Sequence, residues 1–193
     1  LFKQNDKSVL IRLGRQELDY GPGRLISVGE GPNARRYFTG AKLAYNSSKV
    51  NIEAFAMMAD TIRPGIFDNK PSKQVNLWGA YGKFIIPQQA NLDLYYIGIY
   101  RDRSAFEEGI AQEIRHTLGT PVWKYGGGFI YNLEGAYQFG SFGQGKISAW
   151  TASVDIGYLF ENTVLKPSIN LRNDYISGDK KAGDGNLQTF NPI

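Results

Sequence analysis

Apolar and polar side chains alternate at every second position along most of this chain. That is the feature that most restricts its fold, because only an extended strand turns successive residues to opposite faces. Val9, Ile11 and Leu13 interleave with Leu10, Arg12 and Gly14, and Tyr37, Thr39, Ala41, Leu43 and Tyr45 interleave with Phe38, Gly40, Lys42, Ala44 and Asn46. Val50, Ile52, Ala54, Ala56 and Met58 continue the pattern after the turn Asn46-Ser47-Ser48-Lys49, which predicts a hairpin. The same rule predicts strands over 75–86, 92–101, 113–120, 125–142, 147–160 and 165–177, about nine in all and no helix. Runs such as Phe129 to Gly140 and Trp150 to Phe160 are long against the about 5 to 6 residues usual in globular strands.

Composition narrows the class further. Hydrophobic residues make up 42%, aromatic residues 13% and charged residues 21% of the 193 positions, too apolar and too weakly charged for a disordered tail. The mean hydropathy of −0.34 ordinarily reads as soluble, but barrel strands bury only alternate residues and share that value. The chain has no cysteine, which excludes disulfides, thiolate metal sites and a cysteine nucleophile. Lys and Arg are scattered rather than clustered, so the net charge of +4 gives no support to nucleic acid as a partner. Leu1 to Ser8 lacks the pattern of a signal peptide.

The connections between predicted strands alternate in length. Residues 19–36, 63–74, 102–112 and the stretch from Gly178 onward are long, while 46–49, 87–91, 121–124 and 161–164 are short, with 143–146 the exception at intermediate length. Long loops at one end and tight turns at the other are the layout of a transmembrane β-barrel. A soluble sandwich or closed barrel has the same alternation without needing that asymmetry. Tyr37, Tyr45, Tyr81, Tyr96, Tyr100, Phe139, Phe160 and Tyr175 fall near predicted strand ends, as interfacial girdles would. These features favour an all-β, antiparallel, up-and-down transmembrane barrel with Arg12, Gln16, Lys42, Glu53, Asp93, Arg101, Arg115, Glu134, Asp155, Lys166, Arg172 and Asp174 facing inward.

Candidates for chemistry are sparse. His116 is the only histidine, and no nucleophile elbow or HExxH pattern accompanies it, so a strand position is the expected reading. Glu107 and Glu108 are neighbours in sequence, which does not make the spaced carboxylate pair of a glycosidase. Gly126 to Gly128 lack the Lys-Ser/Thr of a phosphate loop, and Asp179, Asp184, Gly185 and Asn186 miss the spacing of a calcium loop. No catalysis, metal or cofactor is expected.

Three ordered motifs then carry a resemblance. Arg12-Leu13-Gly14-Arg15-Gln16-Glu17-Leu18 runs into Tyr20-Gly21-Pro22-Gly23-Arg24-Leu25-Ile26-Ser27. Arg36 to Leu43 reads R-x-F-x-G-A-x-L, and Leu171 to Asp179 reads L-R-x-D-Y-x-S-G-D before Thr189-Phe190-Asn191-Pro192. Together they resemble the alginate export family of bacterial outer-membrane barrels. The resemblance implies an 18-stranded barrel, of which residues 1–193 would be one barrel domain incomplete at both ends and covering about half the strands. It further implies a Gram-negative outer-membrane channel for passive export of an anionic polysaccharide, with outer-membrane lipid and periplasmic export partners around it. Substrate-binding residues by motif and parity would be Arg12, Arg15, Arg24, Lys42 and Arg172, with Arg101, Arg115 and Lys166 added by parity alone. Each could instead neutralise an acid such as Glu17, Glu53, Glu134 or Asp174. The alternative is a soluble or surface-attached all-β protein that holds a glycan on Tyr and Trp residues or serves a structural role.

Overall fold

A computed structural model describes residues 2–4, 6–21, 23–26, 36–61, 63, 65, 68–86 and 90–192. Ser27, at the end of the first motif, lies outside the described residues, as does Pro22. The strands are β1 (Phe2–Gln4), β2 (Lys7–Gln16), β3 (Phe38–Asn46), β4 (Val50–Thr61), β5 (Lys70–Ile86), β6 (Ala90–Phe106), β7 (Gly109–Lys124), β8 (Phe129–Phe142), β9 (Gly145–Leu159) and β10 (Ser168–Ile176). They form one antiparallel meander in the order β1 to β10, each paired with its neighbours in sequence.

The all-β antiparallel expectation holds, and the described residues form ten strands rather than about nine. The barrel is corrected. β1 and β10 are the two edges of the sheet and do not pair with each other, so the sheet is open. An open edge leaves unpaired main-chain groups that hydrocarbon does not tolerate, and closure is what lets strands span a bilayer. The expectations of a transmembrane barrel, an outer-membrane location and lipid as a partner are therefore overturned for this chain. Among the described residues no helix is long and apolar enough to cross a membrane, an observation that bears on helices alone.

Two of the arguments for a barrel fail for local reasons. Residues 102–112, read as a long loop, continue β6 and β7 almost to the tip, with Phe106 paired to Gly109 across the turn Glu107–Glu108. A register shift between Arg101 and Ser104 breaks the alternation there, which is why parity hides the strand. The girdle reading fails at Tyr81, which sits well inside β5 and is buried against Tyr20 and Tyr95.

One face of the sheet is covered by chain and the other is open. Leu18, Leu25 and Ile26, between β2 and β3, pack with Phe38, Phe55, Met57, Leu77, Ile97, Ile99, Ala136, Ala149 and Phe190 into the main core. The C-terminal segment forms the second cover. Leu187 makes a parallel bridge to Ile147, alongside the part of β9 that β10 does not reach, and the chain then crosses the covered face at Thr189 to Asn191. The face expected to line a lumen is thus packed with side chains.

The open face carries Leu13, Leu43, Leu94, Leu118, Trp150 and Leu171, and the last is 66% exposed on an edge strand with every residue accessible. Large exposed apolar area beside an unpaired edge drives association. In aqueous buffer the chain is expected to self-associate, and Leu13→Lys with Leu171→Lys is expected to shift its sedimentation toward smaller species. An unchanged size distribution would remove this face from the explanation.

Candidate functional site

The covered face is where polar groups converge, and its register explains how. Asn132 and Glu134 on β8 face the same side as Ser153 and Asp155 on β9, which pair across to Asp174 and Arg172 on β10. Arg24 enters from the covering loop. Its Nη1 donates to Asn132 Oδ1 at 3.3 Å and to Glu134 Oε2 at 3.1 Å, and its Nε lies 3.9 Å from Asp174. Arg172 Nε donates to Asp174 Oδ2 at 3.1 Å. Hydrogen bonding by Ser153, with the Arg172 and Arg24 guanidiniums nearby, holds the Asp174 carboxyl below the usual range.

Three cavities lie along this face and share walls. The first, about 260 Å³, is lined by Arg24, Glu134, Ser153, Arg172, Asp174 and Phe190 among others. The second, about 300 Å³, continues past Arg172 to Asn132, Asp155, Asn170 and Tyr125. The third, about 240 Å³, shares Tyr125 and Asn132 and adds Gly21, Lys83, Asp93 and Trp123. Each is near the small end of ligand-pocket sizes, which suits one ring rather than a folded ligand. The Trp123 and Tyr125 rings, 5.5 Å apart and tilted by 47°, form an aromatic corner at the third cavity.

The candidate residues from the sequence scatter over this framework. Arg24 and Arg172 come together at the first cavity, as described. Lys42 Nζ donates to Glu53 Oε2 at 3.0 Å, a carboxylate that also accepts from Tyr20 Oη at 2.8 Å. Arg101 and Arg115 both bind Glu113, at 2.9 and 2.6 Å, and Arg115 is fully buried. Arg115 Nη1 also donates to Gln138 Oε1 and to the carbonyl of Thr189, so this residue anchors the C-terminal cover. Arg12 is exposed near the sheet edge, and it lines a wide polar depression with Arg15, Glu17 and Tyr37. Arg15 sits over the Tyr37 ring and pairs with Asp60 at 2.9 Å. It aligns with Thr39 and Met58, on the open face rather than the inner one. Lys166 is in the turn between β9 and β10 with φ of 44°, exposed and outside the strands.

His116 also faces the open side. Its Nδ1 is 2.8 Å from Tyr96 Oη, and its ring stacks on Phe139. Among the described residues no group of three or more His, Cys, Asp or Glu is placed to hold a metal.

From the sequence, Glu134, Asp155 and Asp174 read as inward acids, and Tyr20, Trp123 and Tyr125 were not singled out as site residues, Tyr20 standing only within the first family motif. The signal for Tyr20 was available: Leu18, Leu25 and Ile26 are apolar residues in a supposed surface loop, and such residues seek a face to cover.

The sequence pattern described as alginate export matches residues 2–193. The chain belongs to the alginate export family. No curated protein and no solved structure matches it. The family is described by export rather than by catalysis. What the resemblance implied beyond membership is corrected here. The half-barrel channel is overturned by the open sheet and by the packed covered face, and the periplasmic export partners expected of such a channel fall with it. An anionic polysaccharide as partner is also unsupported: the three cavities are lined by Arg24, Arg172 and Lys83 against Glu134, Asp174, Asp155 and Asp93, which leaves no excess positive charge.

Proposed function

We propose that the chain is a surface-attached, all-β glycan-binding protein. The observation that carries this reading is the run of three ring-sized cavities joined through Arg172, Tyr125 and Asn132. Arg24 and Arg172 are already matched by carboxylates, so the groove offers adjacent donors and acceptors of fixed orientation, the arrangement that neighbouring sugar hydroxyls require. The aromatic corner of Trp123 and Tyr125 supplies an apolar surface for a ring's C–H face. The open apolar face supplies the attachment and leaves the covered side for the ligand.

Arg172 is the residue to test because it is shared by two cavities, is 63% exposed at its side chain and holds no buried partner in place. Arg172→Ala is expected to weaken oligosaccharide binding about tenfold or more, the size of a lost charge-assisted hydrogen bond, with the melting temperature little changed. Calorimetric titration against a panel of neutral and acidic hexasaccharides reads this directly. Absence of binding to every member of the panel by the unaltered chain would refute the reading.

A further inference from the structure

We infer that two copies of the chain pack sheet to sheet through the open face and that His116 makes this pairing reversible by acid; the inference goes beyond the glycan-binding reading and does not depend on it. β3 to β9 lie side by side. At about 4.8 Å between strands and about 3.3 Å per residue along the 9 residues of β3, they present about 30 by 30 Å, so a second copy hides about 900 Å² of each partner, the size of a stable interface. Charged residues of this face stand near strand ends, as Arg15, Asp60, Lys124 and Lys146 do, and Arg15 and Asp60 already pair with each other. A copy carrying the same net charge of +4 therefore brings no like charges together in the middle. A shallow hollow of about 740 Å³ lies where Ala80, Gly82 and Gly135 carry little or no side chain, and Trp150, 49% exposed, projects close by from the position paired with Tyr137. Knob and hollow side by side suit a two-fold pairing, in which each copy's Trp150 enters the other's hollow.

His116 lies on β7 within this face. Gly98, opposite it on β6, is overlain by the Trp78 ring, and Phe139, opposite it on β8, stacks on the imidazole. Trp78 Nε1 donates to Tyr96 Oη at 3.4 Å, which leaves the Tyr96 proton for His116 Nδ1 at 2.8 Å. The titratable groups turned toward it are Tyr96 and Tyr100 on β6 and Tyr137 on β8, whereas Glu113 and Arg115 on its own strand point to the covered face. Once a second copy excludes water, an imidazolium here has no counter-charge. Its Nδ1 also turns from acceptor to donor, so the Tyr96 hydroxyl must point its proton elsewhere. The pair thus binds fewer protons than two separate copies, and pairing is tight with His116 neutral and weakens as pH falls. In solution the second copy masks the face that attachment uses, and acid uncovers it.

The test is sedimentation equilibrium of the whole chain at pH 7.5 and 5.5, on either side of free imidazole at about 6.5. A dimer at the higher pH is expected, with a dissociation constant at least tenfold larger at the lower and strand circular dichroism unchanged. His116→Gln, and His116→Phe, which keeps a ring against Phe139, are expected to pair equally at both pH values. Trp150→Lys is expected to weaken pairing at least tenfold at both. A monomer at pH 7.5, a dimer indifferent to pH, or the same pH response in the His116 variants would each overturn the inference. So would larger aggregates that Trp150→Lys leaves intact, the result of association through the strand edges.

Discussion

Glu113→Gln is expected to cost about 3–5 kcal/mol of stability, because it strips the counter-charge from a guanidinium that has no access to water. Arg115 and Glu113 are both completely buried, and Arg115 Nε donates to Glu113 Oε1 at 2.6 Å. The other oxygen, Oε2, accepts from Ser104 at 2.6 Å and from Arg101 at 2.9 Å. Burial alone would raise the Glu113 carboxyl, but the Ser104 hydroxyl and the Arg101 and Arg115 guanidiniums outweigh it and hold the group below the usual carboxylate range. A group depressed in the folded state adds stability above its unfolded value, about 4.3, and that contribution is lost as pH falls through the folded one. The unaltered chain should therefore lose part of its stability in acid, and Glu113→Gln should show a shallower acid slope from a lower starting point. Replacing both partners, as Glu113→Gln with Arg115→Met, should recover much of the loss, since no buried charge is then left alone. Denaturant midpoints across pH 3 to 7 measure all three, and a double variant as unstable as the single one would show that the hook on the C-terminal segment matters more than the charge.

That network also marks how far the sequence was legible. Period-two alternation revealed the all-β, antiparallel meander and even the correct inward parity of Lys42, Arg101, Arg115 and Arg172, since a strand has only two faces to offer. Alternation is a property of each strand, whereas closure depends on how the first and last strands meet, and no local pattern encodes that. The function of the inward residues was equally hidden. Arg115 reads by parity as a lumen cation, yet its guanidinium is consumed by Glu113, Gln138 and the Thr189 carbonyl, the last of these 74 residues away along the chain. Gln138 likewise reads as a polar strand residue, but its Oε1 accepts the Asn191 amide and its Nε2 donates to the Asn191 carbonyl, as a strand partner would. Such pairings between a side chain and a distant backbone leave no periodic trace. Arg24 and Arg172, by contrast, stood within recognisable motifs, and these two meet at the first cavity.

Above about pH 10 the fold is expected to lose stability steeply, by up to about 4 kcal/mol per pH unit, because the buried Tyr81 and Tyr95 and the half-buried Tyr20 hold their protons only while folded. Tyr20, Tyr81 and Tyr95 stack in a row, Tyr20 on Tyr81 at 4.7 Å and Tyr81 on Tyr95 at 5.8 Å between ring centroids. Each donates its hydroxyl to a carboxylate: Tyr20 to Glu53, Tyr81 to Asp93 and Tyr95 to Glu134. Burial first, and then the adjacent negative charges, push all three far above the ordinary tyrosine value, with Arg24 opposing slightly at Tyr95. In the unfolded chain these phenols titrate near 10, so above that pH the folded state binds as many as three more protons than the unfolded one. The sign follows: stability is complete below pH 10 and falls as pH rises beyond it. Of the 12 tyrosines, these three should stay unionised until the sheet opens, so tyrosinate absorbance should climb in two stages, the second coinciding with loss of strand circular dichroism. Tyr95→Phe removes one of the three protons and should lower the alkaline slope by about a third. It also leaves Glu134 with Arg24 as its remaining hydrogen-bond partner, tightening the ion pair that shapes the first cavity. A single absorbance stage near the ordinary tyrosine range, with the sheet intact, would mean that the row is wet and the covering loop does not close over it.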